Sequence, residues 1–374
     1  MMEEVTFAST VPDEAFSQDS ASNVVPTAPI YVGGRPPWAE ILINIVVWTI
    51  CLLTIVGNGL VILAFIVDRR VRDKVSNLYI LNLAIADFLV GINSLVFNNL
   101  YRVSWVWHYG ENVCKMWLIL DWATGTIAVW AIVLISYDRY MLVTKGLEYD
   151  KIQTRRKCLT LSVALWVLFL LRYGVPNIVY DFWTGEPLYD YTVACGVIFE
   201  YFLVVELFTM FVNIVSPVFL ISAFNIVIFG NIVKRSRGLP SRNWASNSVA
   251  PADRSTVCTI DGTADSSMTT RHNGDEMNSR GNVLPRVVKK EGTADLRKLR
   301  RSALTLGVIV CASAICWIPF HVYVFVTLAG ATVGAMAANA TFYIWWFNST
   351  VNPLIYVATN PGIRRGVLLI FRVR

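Results

Sequence analysis

The chain has 374 residues, of which 55% are hydrophobic and only 16% charged, and its mean hydropathy is +0.52. Soluble domains carry charge on about a quarter of their residues, so this composition excludes a soluble globular protein and describes one that sits in a bilayer. The formal net charge of +6 reads as a cytoplasmic skirt of basic residues and not as a nucleic-acid surface.

Residues 1–37 are polar and acidic, and read as an extracellular tail without a cleaved signal peptide. Seven apolar stretches follow, each long enough to span: near Trp38 to Val67, Val75 to Leu100, Val113 to Val143, Cys158 to Val179, Ile198 to Val233, Leu299 to Ala329 and Thr341 to Ala358. They predict an all-α membrane protein, a seven-transmembrane helix bundle over residues 38–360. Arg69, Arg70, Arg72 and Lys74 follow the first stretch, and Lys151, Arg155, Arg156 and Lys157 separate the third from the fourth. Those connections therefore lie inside, with the N-terminus extracellular and the C-terminus cytoplasmic, in a multi-pass protein of the plasma membrane. The segment at about 235–295 is rich in Ser, Arg, Asn, Gly and Thr and reads as a disordered cytoplasmic loop, a natural site for kinases and partners. Residues 361–374 set Val367, Leu368, Ile370 and Phe371 among Arg364, Arg365, Arg372 and Arg374, the pattern of a short amphipathic helix on anionic membrane lipid.

The third stretch carries an acid near its start, Asp121, and ends in Asp138-Arg139-Tyr140. Helical rise separates the two acids by roughly 25 Å, which puts Asp121 inside the outer part of the bilayer. An ionisable group there faces a cavity or a partner, so Asp121 either meets a ligand or pairs with a nearby cation such as Lys115. Trp122, Trp317, Phe320, Tyr343 and Trp346 offer aromatic faces to an alkylammonium, or serve membrane packing. Thr209, Asn213 and His321 can hydrogen-bond the far end of a ligand. Two of the seven cysteines, Cys114 and Cys195, are extracellular and can form a bridge that draws a loop over the helix mouth. Arg172, inside the fourth span, needs a partner, and Glu206 in the fifth predicts an ion pair at the edge of the cavity; the alternative is an Arg172 that snorkels to the interface. No metal site or cofactor motif is visible.

Polar residues and prolines recur inside the spans: Gly57-Asn58, Leu83-Ala84-Ile85-Ala86-Asp87, Trp166, Pro217, Cys316-Trp317-Ile318-Pro319 and Asn352-Pro353-Leu354-Ile355-Tyr356. Together with Asp138-Arg139-Tyr140 and the Cys114/Cys195 pair, they closely resemble the rhodopsin-like G-protein-coupled receptors over about residues 38–372. Asp121 matches the acid with which aminergic receptors hold a cationic amine. The runs from Ile132 to Tyr140 and from Trp346 to Leu354 are most similar to the histamine receptors of the third and fourth subtypes. The resemblance implies a receptor, not an enzyme, activated by a small protonated biogenic amine, histamine first, with Gi/o coupling. A heterotrimeric G protein, receptor kinases and arrestin are its implied partners, and another amine such as acetylcholine, a peptide or a lipid are the alternative ligands. It further implies an activation switch of Asp138, Arg139, Tyr140, Asn352, Pro353 and Tyr356, and a sodium site at Asp87, Asn348 and Ser349, where Ala128 replaces a frequent serine. Asn213 stands where those histamine subtypes carry a glutamate, and Leu299 where many receptors carry an acid that holds Arg139. An opsin would need a lysine in place of Trp346, and no inverted repeat of a transporter is visible.

Overall fold

The computed structural model describes residues 36–104, 106–185, 187, 189–196, 203–237 and 284–371, excluding the side chains of 147, 203, 235–237, 284–303 and 335. The expectations for 1–35 and 238–283 therefore fall outside the described residues. The chain forms α1 (Pro37–Val67), α2 (Asn77–Ser104), α3 (Gly110–Lys145), α4 (Arg155–Thr184), α5 (Val204–Lys234), α6 (Leu284–Leu328), α7 (Ala335–Thr359) and α8 (Pro361–Ile370). Short helices at Arg69–Arg72 and Tyr149–Ile152 fill two of the connections. The helices α1 to α6 each contain a stretch long and apolar enough to cross a membrane by composition alone. α7 has the length, 25 residues, but Asn348, Ser349, Thr350 and Asn352 lower its hydropathy. These are the residues it turns toward the other helices, all of them buried.

At their described ends the expected spans match the helices to within six residues, except at the start of α6; the expected start of the fifth, Ile198, lies outside the described residues. There the helix begins at Leu284 and runs for 45 residues, so the segment 284–295 is helical and the loop expected to reach about 295 ends earlier. Pro285 explains the start, because its fixed φ suits a first helical turn and its missing N–H is not needed there. Other ends have equally local causes. Thr154 caps α4 by accepting from Lys157 N, and Gly185, at φ 75°, closes it in the left-handed conformation. Asn360 caps α8 by accepting from Gly362 N and Ile363 N.

Among the described residues two π-helical turns interrupt the spans, Val90–Leu95 in α2 and Phe211–Val215 in α5. The second directly precedes Pro217, whose ring removes a backbone donor, and Trp130 Nε1 donates to the Val212 carbonyl there at 3.2 Å. α3 is the central helix: 67% of its most apolar window is buried, against 33% for α1 and 17% for α5. It packs on α2, α4, α5 and α6. At one end of the bundle the Cys114–Cys195 disulfide ties α3 to the loop after α4; this end is termed upper. At the lower end Asp68 accepts from Arg365 Nη2 at 2.8 Å and Nε at 3.0 Å, joining the end of α1 to α8. Arg365, expected at a lipid surface, is thus also an internal tie.

Candidate functional site

Asp121 lies on the buried face of α3 in the upper half and is 7% exposed. Lys115, its alternative partner, is taken elsewhere, at 2.6 Å from Glu111 and 2.9 Å from Asp181. Ser94 and Asn98 of α2 and Trp346 of α7 face the Asp121 carboxyl. Asp121 Oδ1, Ser94 Oγ and Trp346 Nε1 are all buried and complete no hydrogen bond. A carboxylate in this setting has acceptor capacity to spend on a charged donor.

Trp346 joins it to an aromatic cluster. Trp345 stacks on Phe320 with centroids 4.9 Å apart at 11°, and lies 6.1 Å from Trp122 and 6.0 Å from Trp346. Phe342 bridges Phe320 at 4.8 Å and Trp346 at 5.6 Å, while Tyr343 meets Trp346 edge-on at 5.7 Å. Trp317 is buried one turn below Phe320. His321 sits beside Phe320 with a buried, unpartnered Nδ1. Trp345 and Phe342 were not singled out in the sequence. A signal existed: they lie four and seven residues before Ser349, and so share its inward face. Gly125 makes room for Trp345, since a Cβ there would meet the indole Cη2 at 3.0 Å.

On the α5 side the polar residues already have partners. Asn213 Oδ1 accepts from Thr126 at 3.1 Å and from Tyr173 at 3.2 Å, tying α5 to α3 and α4. Thr209 Oγ1 accepts from Arg172 Nη2 at 2.6 Å and donates to the Val205 carbonyl. No direct salt bridge joins Arg172 to Glu206, contrary to expectation, though the Arg172 charge still acts on Glu206. Arg172 is claimed by Thr209 and by the faces of Tyr173 and Phe208, 5.2 and 4.8 Å from the guanidinium carbon, and Glu206 Oε2 is left buried without a hydrogen bond. Arg172 reaches one turn below Glu206, where a neutral hydroxyl and two rings meet the cation and its Nε is left buried without a hydrogen bond.

At the lower end Asp138 is 3.8 Å from Arg139 Nε through Oδ2. Its Oδ1 accepts from Tyr149 at 2.7 Å and from Gln153 at 3.3 Å, a clamp from the connection to α4 that sequence reading missed. Burial first, and then the Asp138 charge, push the Tyr149 hydroxyl far above the ordinary phenol range, so it remains a donor. Tyr140 packs on Phe224 of α5 at 5.3 Å. The Leu299 side chain lies outside the described set. Between the two ends, Asp87 accepts from Ser349 at 2.7 Å and from Asn352 at 2.8 Å. Asn348 Oδ1 and the Tyr356 hydroxyl are buried nearby on α7 without partners, and Pro353 packs against Gly57.

Helices long and apolar enough to cross a bilayer, with a buried carboxylate and an aromatic cluster toward one end, a clamped ionic pair at the other and a buried polar layer between them, fit a membrane receptor. Comparison with known proteins makes the class specific. Residues 57–356 match the 7 transmembrane receptor (rhodopsin family). The chain is 30% identical over 366 residues to the histamine H4 receptor of Mus musculus, covering 87% of this chain and 90% of that protein. It is 29% identical over 354 residues to the Homo sapiens histamine H4 receptor, with coverages of 85% and 88%. Against the alpha-1A adrenergic receptor of Oryzias latipes it is 26% identical over 332 residues, with coverages of 87% and 65%. The chain belongs to the rhodopsin family of seven-transmembrane receptors, a multi-pass membrane protein and not an enzyme.

Proposed function

We propose that the receptor binds a small protonated biogenic amine at Asp121, histamine being the first candidate, and passes the signal to a heterotrimeric G protein at the Asp138–Arg139 end. One observation carries the reading: a buried carboxylate with an uncommitted oxygen, faced by Trp346, which packs in turn on the cluster of Trp345, Phe320 and Trp122. An alkylammonium there gains a charge-assisted hydrogen bond and several aromatic faces in a low-dielectric setting. Ligand that favours one packing of Trp317, Phe320 and Trp345 shifts the population of α6 positions, and Asn352, Pro353 and Tyr356 lie on the route to Arg139. Asp87, Asn348 and Ser349 form the candidate sodium site on that route. Likeness to the histamine H4 receptors supports histamine, and resemblance to their group supports Gi/o coupling. In this reading the upper end is extracellular in the plasma membrane, and receptor kinases and arrestin act at the opposite side.

The test is activation of Gi/o, Gq and Gs reporters in transfected cells by histamine, acetylcholine, dopamine and octopamine. Activation of Gi/o by histamine is expected. Activation by a different amine keeps the amine reading and removes histamine; silence to every amine, with receptor at the surface, overturns the reading.

A further inference from the structure

A polar cluster apart from Asp121 joins the upper ends of α1 and α2 and lies near α7. Arg102, in the last turn of α2, is only 8% exposed, and a guanidinium so placed must be matched by acceptors. Its Nη1 donates to Glu40 Oε2, on the first turn of α1, at 2.9 Å. Nη2 donates to Asn44 Oδ1 at 2.9 Å and to Asn99 Oδ1 at 3.1 Å, and Nε to Asn99 Oδ1 at 3.3 Å. Asn99 Nδ2 donates in turn to Asn44 Oδ1 at 3.3 Å, which fixes the sense of both amides. The Tyr343 hydroxyl of α7 lies within electrostatic reach of the same guanidinium. The Tyr343 ring meets the Trp346 indole at 69°, and Trp346 faces Asp121.

We infer that Arg102 is a positioning residue of the amine site: anchored on Glu40, Asn44 and Asn99, it holds Tyr343 and, through that ring, the Trp346 indole beside Asp121. A planar guanidinium held by acceptors on α1 and α2 cannot rotate, so the side it turns toward α7 is set. Stability alone gives little reason for the cluster, since apolar residues of similar volume replace a buried ion pair at no cost in many proteins. Its value lies in what it orients. The inference rests on the amine reading of Asp121.

The test uses the full chain in cell membranes, with labelled histamine as the probe, labelled dopamine and octopamine alongside, and surface expression measured in parallel. Arg102→Met is expected to weaken amine binding about tenfold, and Arg102→Lys to leave most of that loss, because an ammonium lacks the guanidinium fork. Tyr343→Phe is expected to weaken binding by a similar factor, and in that background Arg102→Met adds less than about threefold. If Arg102→Met does not reach the surface, Glu40→Gln takes its place in the same cycle with Tyr343→Phe. Wild-type affinity in Arg102→Lys, or effects of the paired substitutions that multiply in full, overturn the inference. Binding that depends on Asp121 but ignores Arg102 overturns it alone. Absence of any amine binding, or binding unaffected by Asp121→Asn, overturns the amine reading together with it.

Discussion

Replacing Gly125 by alanine isolates the packing of Trp345 against α3. A Cβ at this position would stand 3.0 Å from Trp345 Cη2 and 3.1 Å from Cζ2, inside ordinary van der Waals contact. The indole has little room to retreat, because its other side is stacked on Phe320 with centroids 4.9 Å apart and Trp122 flanks it at 6.1 Å. Overpacking of this kind costs about 1–3 kcal/mol, while exchanging glycine for alanine within a helix returns about 0.5–1 kcal/mol. The balance is a loss of up to about 2.5 kcal/mol, together with weaker agonist binding because Trp345 tilts toward the site. Gly230, exposed on α5 with nothing within 4 Å of its virtual Cβ, supplies the control. Gly230→Ala meets no neighbour and should hold or raise stability by up to about 1 kcal/mol. The assay is thermal unfolding of the two purified variants in lipid nanodiscs beside the wild type, with agonist affinity measured on the same samples. If Gly125→Ala unfolds at or above the temperature of Gly230→Ala and binds agonist normally, Trp345 does not pack against α3 as described and the aromatic cluster must be redrawn.

Three further predictions concern the ties between helices. Tyr149→Phe removes the 2.7 Å donor that orients Asp138 toward Arg139, a bond to a charged group; the resting-to-active ratio should fall about fivefold, visible as higher ligand-free signalling, and unchanged basal activity would deny Tyr149 a part in the switch. Thr209→Val deletes the acceptor of Arg172 Nη2 and should cost about 1–3 kcal/mol in thermal unfolding; a neutral result would mean that the two rings alone satisfy the cation. At Asp68, burial raises the carboxyl, but the hydrogen bonds from Arg365 and Arg70 and their charges together hold it below its ordinary value of 3.8. The folded pKa is depressed, so this stabilisation is fully present above the ordinary carboxylate range and is lost as pH falls through the folded value. Wild type and Asp68→Asn should therefore differ in unfolding temperature at neutral pH and converge only in strong acid; convergence already at mildly acid pH would contradict the tie.

The spans were legible because a bilayer imposes one length and one polarity on each of them, and the buried acid Asp121 and the bridge between Cys114 and Cys195 stand out against that background. What escaped was of two kinds. The start of α6 at Leu284 escaped because it lies among polar residues, where apolar periodicity is silent and only Pro285 marks the turn. Side-chain partnerships escaped because they depend on angular position: Arg172 meets Thr209 and not Glu206, one helical turn away, and hydrophobic pattern cannot resolve that difference. The Glu40–Arg102 pair, 62 residues apart, was hidden for a related reason, since each charge sits at a span end where solvated residues are ordinary. Trp345 and Trp346 are neighbours in sequence, and only their spacing to Ser349 and Asn352 separates the one that stacks on Phe320 from the one that faces Asp121.

The account stands or falls on the charge of Asp121. Asp121→Asn keeps the shape of the side chain and removes its charge, so the activating amine should lose about 2–5 kcal/mol of binding free energy. In a concentration–response measurement of G-protein activation, with surface expression matched to the wild type, this predicts a loss of potency of roughly 30-fold or more. A shift of less than about threefold would mean that the ligand's charge is not held at Asp121, and the amine site would have to be abandoned.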